Sequence, residues 1–122
     1  MKRIAIAAAA IAACVAVPAS AMDVATFLAK ADALKAKGAM ALFSSDMGLL
    51  KGEAKKATEA YLANKAARAA AGKPPLVCAP PSARKMGSDE FLTGLRQIPP
   101  TQRSISMTEG MTRVLQRKYP CR

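Results

Sequence analysis

The sequence predicts an all-α protein: a compact bundle of four to five short helices, stapled by one disulfide and preceded by a cleaved signal peptide. Apolar residues recur along the chain at spacings of three and four, as they do on the buried face of a helix. No segment alternates apolar and polar residues as a half-buried strand does. Two cysteines, Cys78 and Cys121, follow the N-terminal segment. The 122 residues suffice for one domain.

The N-terminus has the three parts of a secretory signal. Lys2 and Arg3 precede an unbroken apolar run of 14 residues, which is followed by small residues at 19–21. The run is too short to cross a bilayer, which takes about 20 residues. We therefore predict a signal peptide over 1–21 and a single helical domain over 22–122. The mature protein is expected in the periplasm or secreted, without a transmembrane span.

Cys14 leaves an alternative open. The residues Ile11-Ala12-Ala13-Cys14 also fit the pattern read by lipoprotein signal peptidases, which would anchor the mature protein through a lipidated Cys14. The apolar run before Cys14 is short, however, and residues 15–21 are apolar where a polar tether is expected. Cleavage after Ala21 is therefore the preferred prediction.

Either cleavage route leaves Cys78 and Cys121 as an even pair of thiols, which in an oxidising compartment predicts a disulfide. The two residues are 43 positions apart, and closing a loop of that length restricts the unfolded chain by about 4 kcal/mol in the chain-entropy account. Redox catalysis or metal binding by this pair is disfavoured, because the chain has neither a C-x-x-C spacing nor a His.

The first predicted helix begins at Val24, where Asp23 is placed to cap it, and Gly38 ends or kinks it. Its apolar stripe consists of Val24, Phe27, Leu28, Ala31 and Leu34. The four apolar residues at 40–43 are expected to form a further helical turn or a tight corner, buried beneath neighbouring helices.

A long helix is predicted from Met47 to Ala71, because this stretch is rich in the strong helix formers Ala, Lys and Glu. Capping residues at 44–46 precede it, and Gly72 with the following prolines ends it. Its predicted inner face consists of Leu50, Ala54, Ala57, Tyr61, Asn64, Ala67 and Arg68.

A proline-rich, irregular connector is predicted over 73–87, since it holds four of the eight prolines. Ser88 is expected to cap the next short helix, and Ser106 with Glu109 forms a capping box for the last one. The predicted buried stripes are Phe91, Leu92, Leu95 and Ile98 on the former helix, and Met107, Met111, Val114 and Leu115 on the latter.

The sequence argues against an enzyme. The chain has no His, the commonest general base and metal ligand. Ser44 and Ser45 are better explained as caps than as nucleophiles. Met107 and Met111 have helical spacing, but on an apolar stripe that spacing favours core packing over copper binding. We expect no catalytic residue, metal or cofactor.

Positive charge dominates the mature chain. Without Lys2 and Arg3 the 19 Lys and Arg residues become 17, against 8 Asp and Glu, which leaves a net charge of +9. Nucleic-acid binding usually adds aromatic stacking platforms or a groove-reading motif, and neither is evident, so we expect no nucleic-acid partner. One interpretation is a solvated cationic surface without a specific partner. The other is a surface that attracts anionic envelope components or an acidic protein.

The C-terminal half carries a pattern that includes Cys78-Ala79-Pro80, Phe91-Leu92-x-x-Leu95, Ile98-Pro99, Arg103, Val114-Leu115 and Tyr119-Pro120-Cys121. This pattern, about 45 residues of the 122, resembles the periplasmic immunity proteins of the Rap/Tai kind. The resemblance implies a small exported helical protein that binds and blocks a cell-wall amidase delivered by type VI secretion, often as a homodimer. No motif here marks a toxin-contacting residue.

Two functions from different classes follow. The first is an interaction protein that blocks a periplasmic partner, with Arg84 and Lys85 in the proline-rich connector as candidate contacts, because irregular surface segments suit recognition. A plain linker is the alternative for that segment. The second function is an envelope housekeeping protein, either a small stress chaperone or a polyanion-binding protein.

Overall fold

The computed structural model describes residues 22–122; the predicted signal peptide and Cys14 lie outside the described residues. Within 22–122 the chain forms four α-helices: α1 (Val24–Lys37), α2 (Ser45–Ala70), α3 (Ser88–Arg96) and α4 (Met107–Lys118). Two short 3₁₀ helices span Gly38–Phe43 and Pro100–Gln102. This part of the chain contains no strand, and one isolated β-bridge joins Asp23 to Ser106. The predicted all-α fold is confirmed.

α1 begins at the predicted cap. The Asp23 carboxylate accepts a hydrogen bond from the Thr26 amide at 2.7 Å. Hydrogen bonding to Thr26 lowers the pKa of Asp23 below its ordinary value of 3.8. The Thr26 side chain makes the larger contribution, and its backbone amide makes the next largest. The first helical turn is therefore stabilised by an ionised carboxylate.

The first amides of α1 are also satisfied from elsewhere in the chain. Val24 donates to the Ile105 carbonyl at 3.0 Å, and Ala25 donates to the Arg103 carbonyl at 2.9 Å. A helix leaves its first amides without partners within the helix, so these bonds complete the start of α1. They also place it beside the start of α4.

The core is centred where α1, α3 and α4 meet. Its most completely buried large side chains are Val24, Leu95, Ile98 and Met107. Gly110 on α4 lies so close to α1 that a Cβ there would be 2.6 Å from the Val24 Cγ2 atom. Gly94 on α3 is similarly close to Val114. These two glycines allow the three helices to approach closely.

α2 turns back along α1 and packs against α4. Gly38, with a φ of +58°, ends α1, and the ion pair between Lys30 and Asp46 spans 3.6 Å near the turn. Further along, the Thr58 hydroxyl, which donates to the Ala54 carbonyl at 2.9 Å, lies 3.5 Å from the Met111 sulfur. α2 therefore covers one side of the core.

The prediction that residues 40–43 are buried is wrong. Ala41 alone is buried there, whereas Met40, Leu42 and Phe43 are 66%, 76% and 84% exposed. The segment is a 3₁₀ helix, in which residues three apart are eclipsed. Ala41 faces inward, whereas Met40 and Phe43, which are three residues apart, share an outward edge.

Two smaller predictions also need correction. Of the predicted inner face of α2, Asn64 and Ala67 are exposed, whereas the residues up to Tyr61 are buried or half-buried and Arg68 is half-buried. At 26 residues α2 extends beyond the 12-residue α4 against which it packs. Ser88 is the first residue of α3 rather than its cap; Gly87 occupies the cap position without a side-chain hydrogen bond.

The predicted connector is irregular, as expected, and is attached to the rest of the fold in its first half. Gly72, with a φ of +70°, follows α2, and the Arg68 guanidinium donates to the Pro74 carbonyl at 2.8 Å. The predicted disulfide joins Cys78 to Cys121, with the Cα atoms 5.0 Å apart. The Cys78 amide also donates to the Tyr119 carbonyl at 3.0 Å. The connector is thus tied to the C-terminal tail.

We predict that Gly110→Ala destabilises the protein. Overpacking of this kind costs about 1–3 kcal/mol, and the stiff Val24 side chain has little freedom to move away. Replacing Gly by Ala also raises helix propensity by about 1 kcal/mol. This gain is smaller than most of the expected cost of overpacking, so the net effect is a loss of stability. The matched control is Gly52→Ala in α2, where nothing lies within 4 Å of the added methyl group and stability should increase. Urea unfolding of both variants measures the difference; equal gains in stability would contradict the close packing.

We predict that the Cys78→Ala/Cys121→Ala double variant loses about 2–4 kcal/mol, because the unfolded chain regains the freedom that the disulfide removes. Thermal unfolding under non-reducing conditions measures the loss. The reduced wild-type protein is the control and should melt close to the double variant. A double variant that melts at the wild-type temperature would show that the disulfide contributes nothing.

We predict that the cap at Asp23 makes stability depend on acid pH. Because the folded-state pKa is lowered, the ionised cap stabilises the fold above the ordinary pKa of 3.8, and this contribution is lost as the pH falls through the folded-state value. Asp23→Ala should cost about 1 kcal/mol at neutral pH, whereas Asp23→Asn keeps an acceptor and should cost less. Urea unfolding at neutral and acid pH tests both variants. An Asp23→Asn variant as acid-sensitive as the wild type would contradict the role of the carboxylate.

Candidate binding groove

An open apolar groove of about 600 Å³ lies between the helices, and all four contribute to it. Its main walls are formed by Phe27 and Leu34 of α1, Leu50 of α2, Phe91 and Leu92 of α3, and Met111 of α4. Its volume falls in the usual range of ligand pockets, about 300–1,000 Å³. We refer to this cavity as the apolar groove.

An aromatic pair supports the side of the groove between α1 and α3. The rings of Phe27 and Phe91 are 6.1 Å apart between centroids and inclined at 74°, an edge-to-face contact. Phe27 is buried and Phe91 is half-buried. Phe27 therefore belongs to the core, whereas part of the Phe91 ring is exposed in the groove.

Methionines line the groove from three directions. Met47 of α2, Met86 of the connector and Met111 of α4 all border it, and each is partly buried against the core. Methionine side chains are flexible and polarisable, and they are frequent on surfaces that adapt to apolar partners. The lining can therefore adapt to apolar ligands of different shapes.

The rim of the groove is cationic. Lys51 of α2 and Lys85 of the connector border it; both are exposed, and neither forms an ion pair within residues 22–122. Several acidic side chains of the same region are already engaged: Asp32 with Arg96, Asp46 with Lys30 and Glu90 with Lys118. The opening of the groove is therefore positively charged.

The structure separates the two predicted contact residues of the connector. Lys85 lines the groove, whereas Arg84 is exposed and does not. Consecutive residues of an extended segment point in different directions, so only one of them faces the groove. The role of either residue in binding stays a prediction.

Sequence reasoning missed the groove itself. Met111 was expected to be a core residue, yet it is only partly buried and faces the groove, while Met107 is fully buried as predicted. A usable signal was present, since methionines occur at 47, 86 and 111, in three separate elements. Only the packing of those elements brings the three together.

Tyr61 lies between the groove and a second cavity of about 400 Å³. The second cavity is bounded by the far half of α2, the connector and the start of α4, with Arg68, Val77 and Thr108 among its lining residues. Burial raises the pKa of the Tyr61 hydroxyl, which is therefore neutral at physiological pH. The ring forms a neutral partition between the two cavities.

Residues 22–122 contain no group of three or more His, Cys, Asp or Glu side chains arranged to hold a metal ion. None of the helices in this range combines the length and apolar character needed to cross a membrane.

Comparison with known proteins gives no match: no family model, curated protein or solved structure is similar to this chain.

Proposed function

We propose that this chain is an exported binding protein whose apolar groove receives an apolar segment of a protein partner. The observation that carries the proposal is the groove itself: a cavity lined from all four helices, bordered by methionines and open to solvent. Grooves between helices commonly accept an amphipathic helix by its apolar face.

The rim indicates the charge of the partner. Lys51 and Lys85 flank the opening without ion pairs of their own in the described chain, and residues 22–122 carry a net charge of +9. Complementary charge accelerates encounter and disfavours cationic competitors. The proposed partner segment is therefore apolar on one face and acidic beside it.

A more specific form of this proposal is a blocking role. The resemblance of the C-terminal half to periplasmic immunity proteins favours a cell-wall amidase as the partner, and the predicted signal peptide favours export to the periplasm. In this form the chain protects its producer without chemistry of its own. A homodimer would present two such grooves.

The methionine lining favours one second candidate, a small envelope chaperone. Adaptable apolar surfaces suit many clients as well as one partner. The two candidates differ in selectivity, because a chaperone suppresses the aggregation of unrelated proteins whereas a dedicated inhibitor does not.

We predict that filling the groove weakens capture of the partner. The full chain, exported by a bacterium and carrying a C-terminal tag, is used to retain proteins from envelope extract, which are identified by mass spectrometry. Ala54→Phe places a ring in the groove and should weaken binding of the retained partner about tenfold or more. The matched control is Ala63→Phe, on an exposed part of the same helix that borders neither cavity. Equal binding by both variants would exclude the groove.

The two connector residues supply a second matched pair for the same experiment. Lys85→Glu reverses a charge at the rim, and Arg84→Glu makes the same change one residue outside the groove. Rim charges act mainly on association. We expect slower association with the partner for Lys85→Glu and an unchanged rate for Arg84→Glu. If the wild-type protein instead suppresses the aggregation of several unrelated proteins, that result would support the chaperone.

A further inference from the structure

An apolar corner protrudes between α1 and α2, formed by Met40, Leu42 and Phe43. These side chains are 66%, 76% and 84% exposed, the three most exposed large apolar residues of the described chain. Leu49, in the second turn of α2, is a further exposed apolar residue near it in sequence, at 43%. Isolated exposed apolar residues are common, but three on one six-residue segment form a patch that requires an explanation.

The fold does not depend on these three side chains. Ala41 fills the inward position of the 3₁₀ helix, and Gly38 supplies the left-handed conformation that ends α1. At the other end, Ser44 caps α2 by accepting a hydrogen bond from the Asp46 amide. The turn is therefore made by residues other than the three that protrude.

Positive charge borders the apolar corner. Lys35 and Lys37 occupy the last turn of α1 and are exposed, and the Lys37 ammonium is 3.5 Å from the Ser44 hydroxyl at the far end of the corner. The nearest acidic residue along the chain, Asp46, is paired with Lys30 at 3.6 Å. The uncompensated charge beside the apolar corner is thus cationic.

We infer that the apolar corner docks on an anionic lipid membrane, with Met40, Leu42 and Phe43 inserted at the level of the headgroups and Lys35 and Lys37 against lipid phosphates. Apolar side chains flanked by basic ones bind lipid interfaces by this combination. A second copy of the chain is a poorer occupant, because a stable interface buries about 800 Å² on each partner and three side chains on a short turn do not approach that area. The inference is independent of the proposed groove function.

The chain contains no Trp, so one introduced Trp reports on its own surroundings. Phe43→Trp is compared with Leu76→Trp, which replaces an exposed apolar residue of the connector. Both are recovered from the periplasmic fraction, with the N-terminus established by mass spectrometry. They are then mixed with vesicles of phosphatidylglycerol and phosphatidylethanolamine, or of phosphatidylcholine alone.

We predict a blue-shifted emission for Phe43→Trp with the anionic vesicles, quenching by brominated acyl chains, and loss of both in high salt. Leu76→Trp should show neither change. Phe43→Asp should bind the anionic vesicles about tenfold more weakly than Leu76→Asp, since it removes the most exposed ring and adds a repelled charge. Ala54→Phe, which alters only the groove, should bind them normally.

Several results would overturn the inference. These are an unchanged Phe43→Trp spectrum with anionic vesicles, equal binding to both kinds of vesicle, and equal binding by Phe43→Asp and Leu76→Asp. A dimer in sedimentation that Phe43→Asp abolishes would assign the apolar corner to a second copy instead.

Discussion

The backbone pairing between the start of α1 and the segment before α4 is the constraint on which the rest of the structure depends. The amides of Val24 and Ala25 donate to carbonyls of Ile105 and Arg103, so two helix starts lie side by side. Gly110 then allows α4 to approach Val24 at a distance that any side chain would prevent. This close-packed junction fixes the starts of α1 and α4 relative to each other.

The apolar groove is a consequence of that geometry. α1, α3 and α4 are held together by contacts around Val24 and Leu95, and α2 covers one side of this core. The space between α2 and the other three helices is not filled by side chains, and the groove lies there. The disulfide between Cys78 and Cys121 holds the connector next to Val77, which lines the second cavity.

Charge and apolar surface are distributed unevenly over the molecule. Several acidic groups stabilise the fold directly, as Asp23 does at the start of α1 and Asp32 does with Arg96. Among the lysines that form no ion pair within residues 22–122, Lys51 and Lys85 border the groove, and Lys35 and Lys37 lie beside the apolar corner. Each exposed apolar feature is therefore bordered by positive charge, and the two differ in shape: one is concave and suits a protein segment, the other protrudes and suits a lipid surface.

Local chemistry determined much of the fold in advance. The start of α1 at Asp23, its end at Gly38, the irregular connector and the pairing of Cys78 with Cys121 follow from capping, backbone freedom and cysteine number. These features depend on a few neighbouring residues, or on there being only one other cysteine after the predicted signal peptide. They can therefore be predicted from the sequence.

Other features depend on distant residues and were decided by tertiary structure alone. Apolar spacing cannot show whether a stripe will be covered, so the exposure of Phe43 and of Asn64 and Ala67 was mispredicted. Likewise, nothing local distinguishes Lys85 from Arg84. The sequence determined which segments are helical and which face of each is apolar. Only the lengths and closest approaches of the packed helices decided which apolar faces are buried and which are exposed.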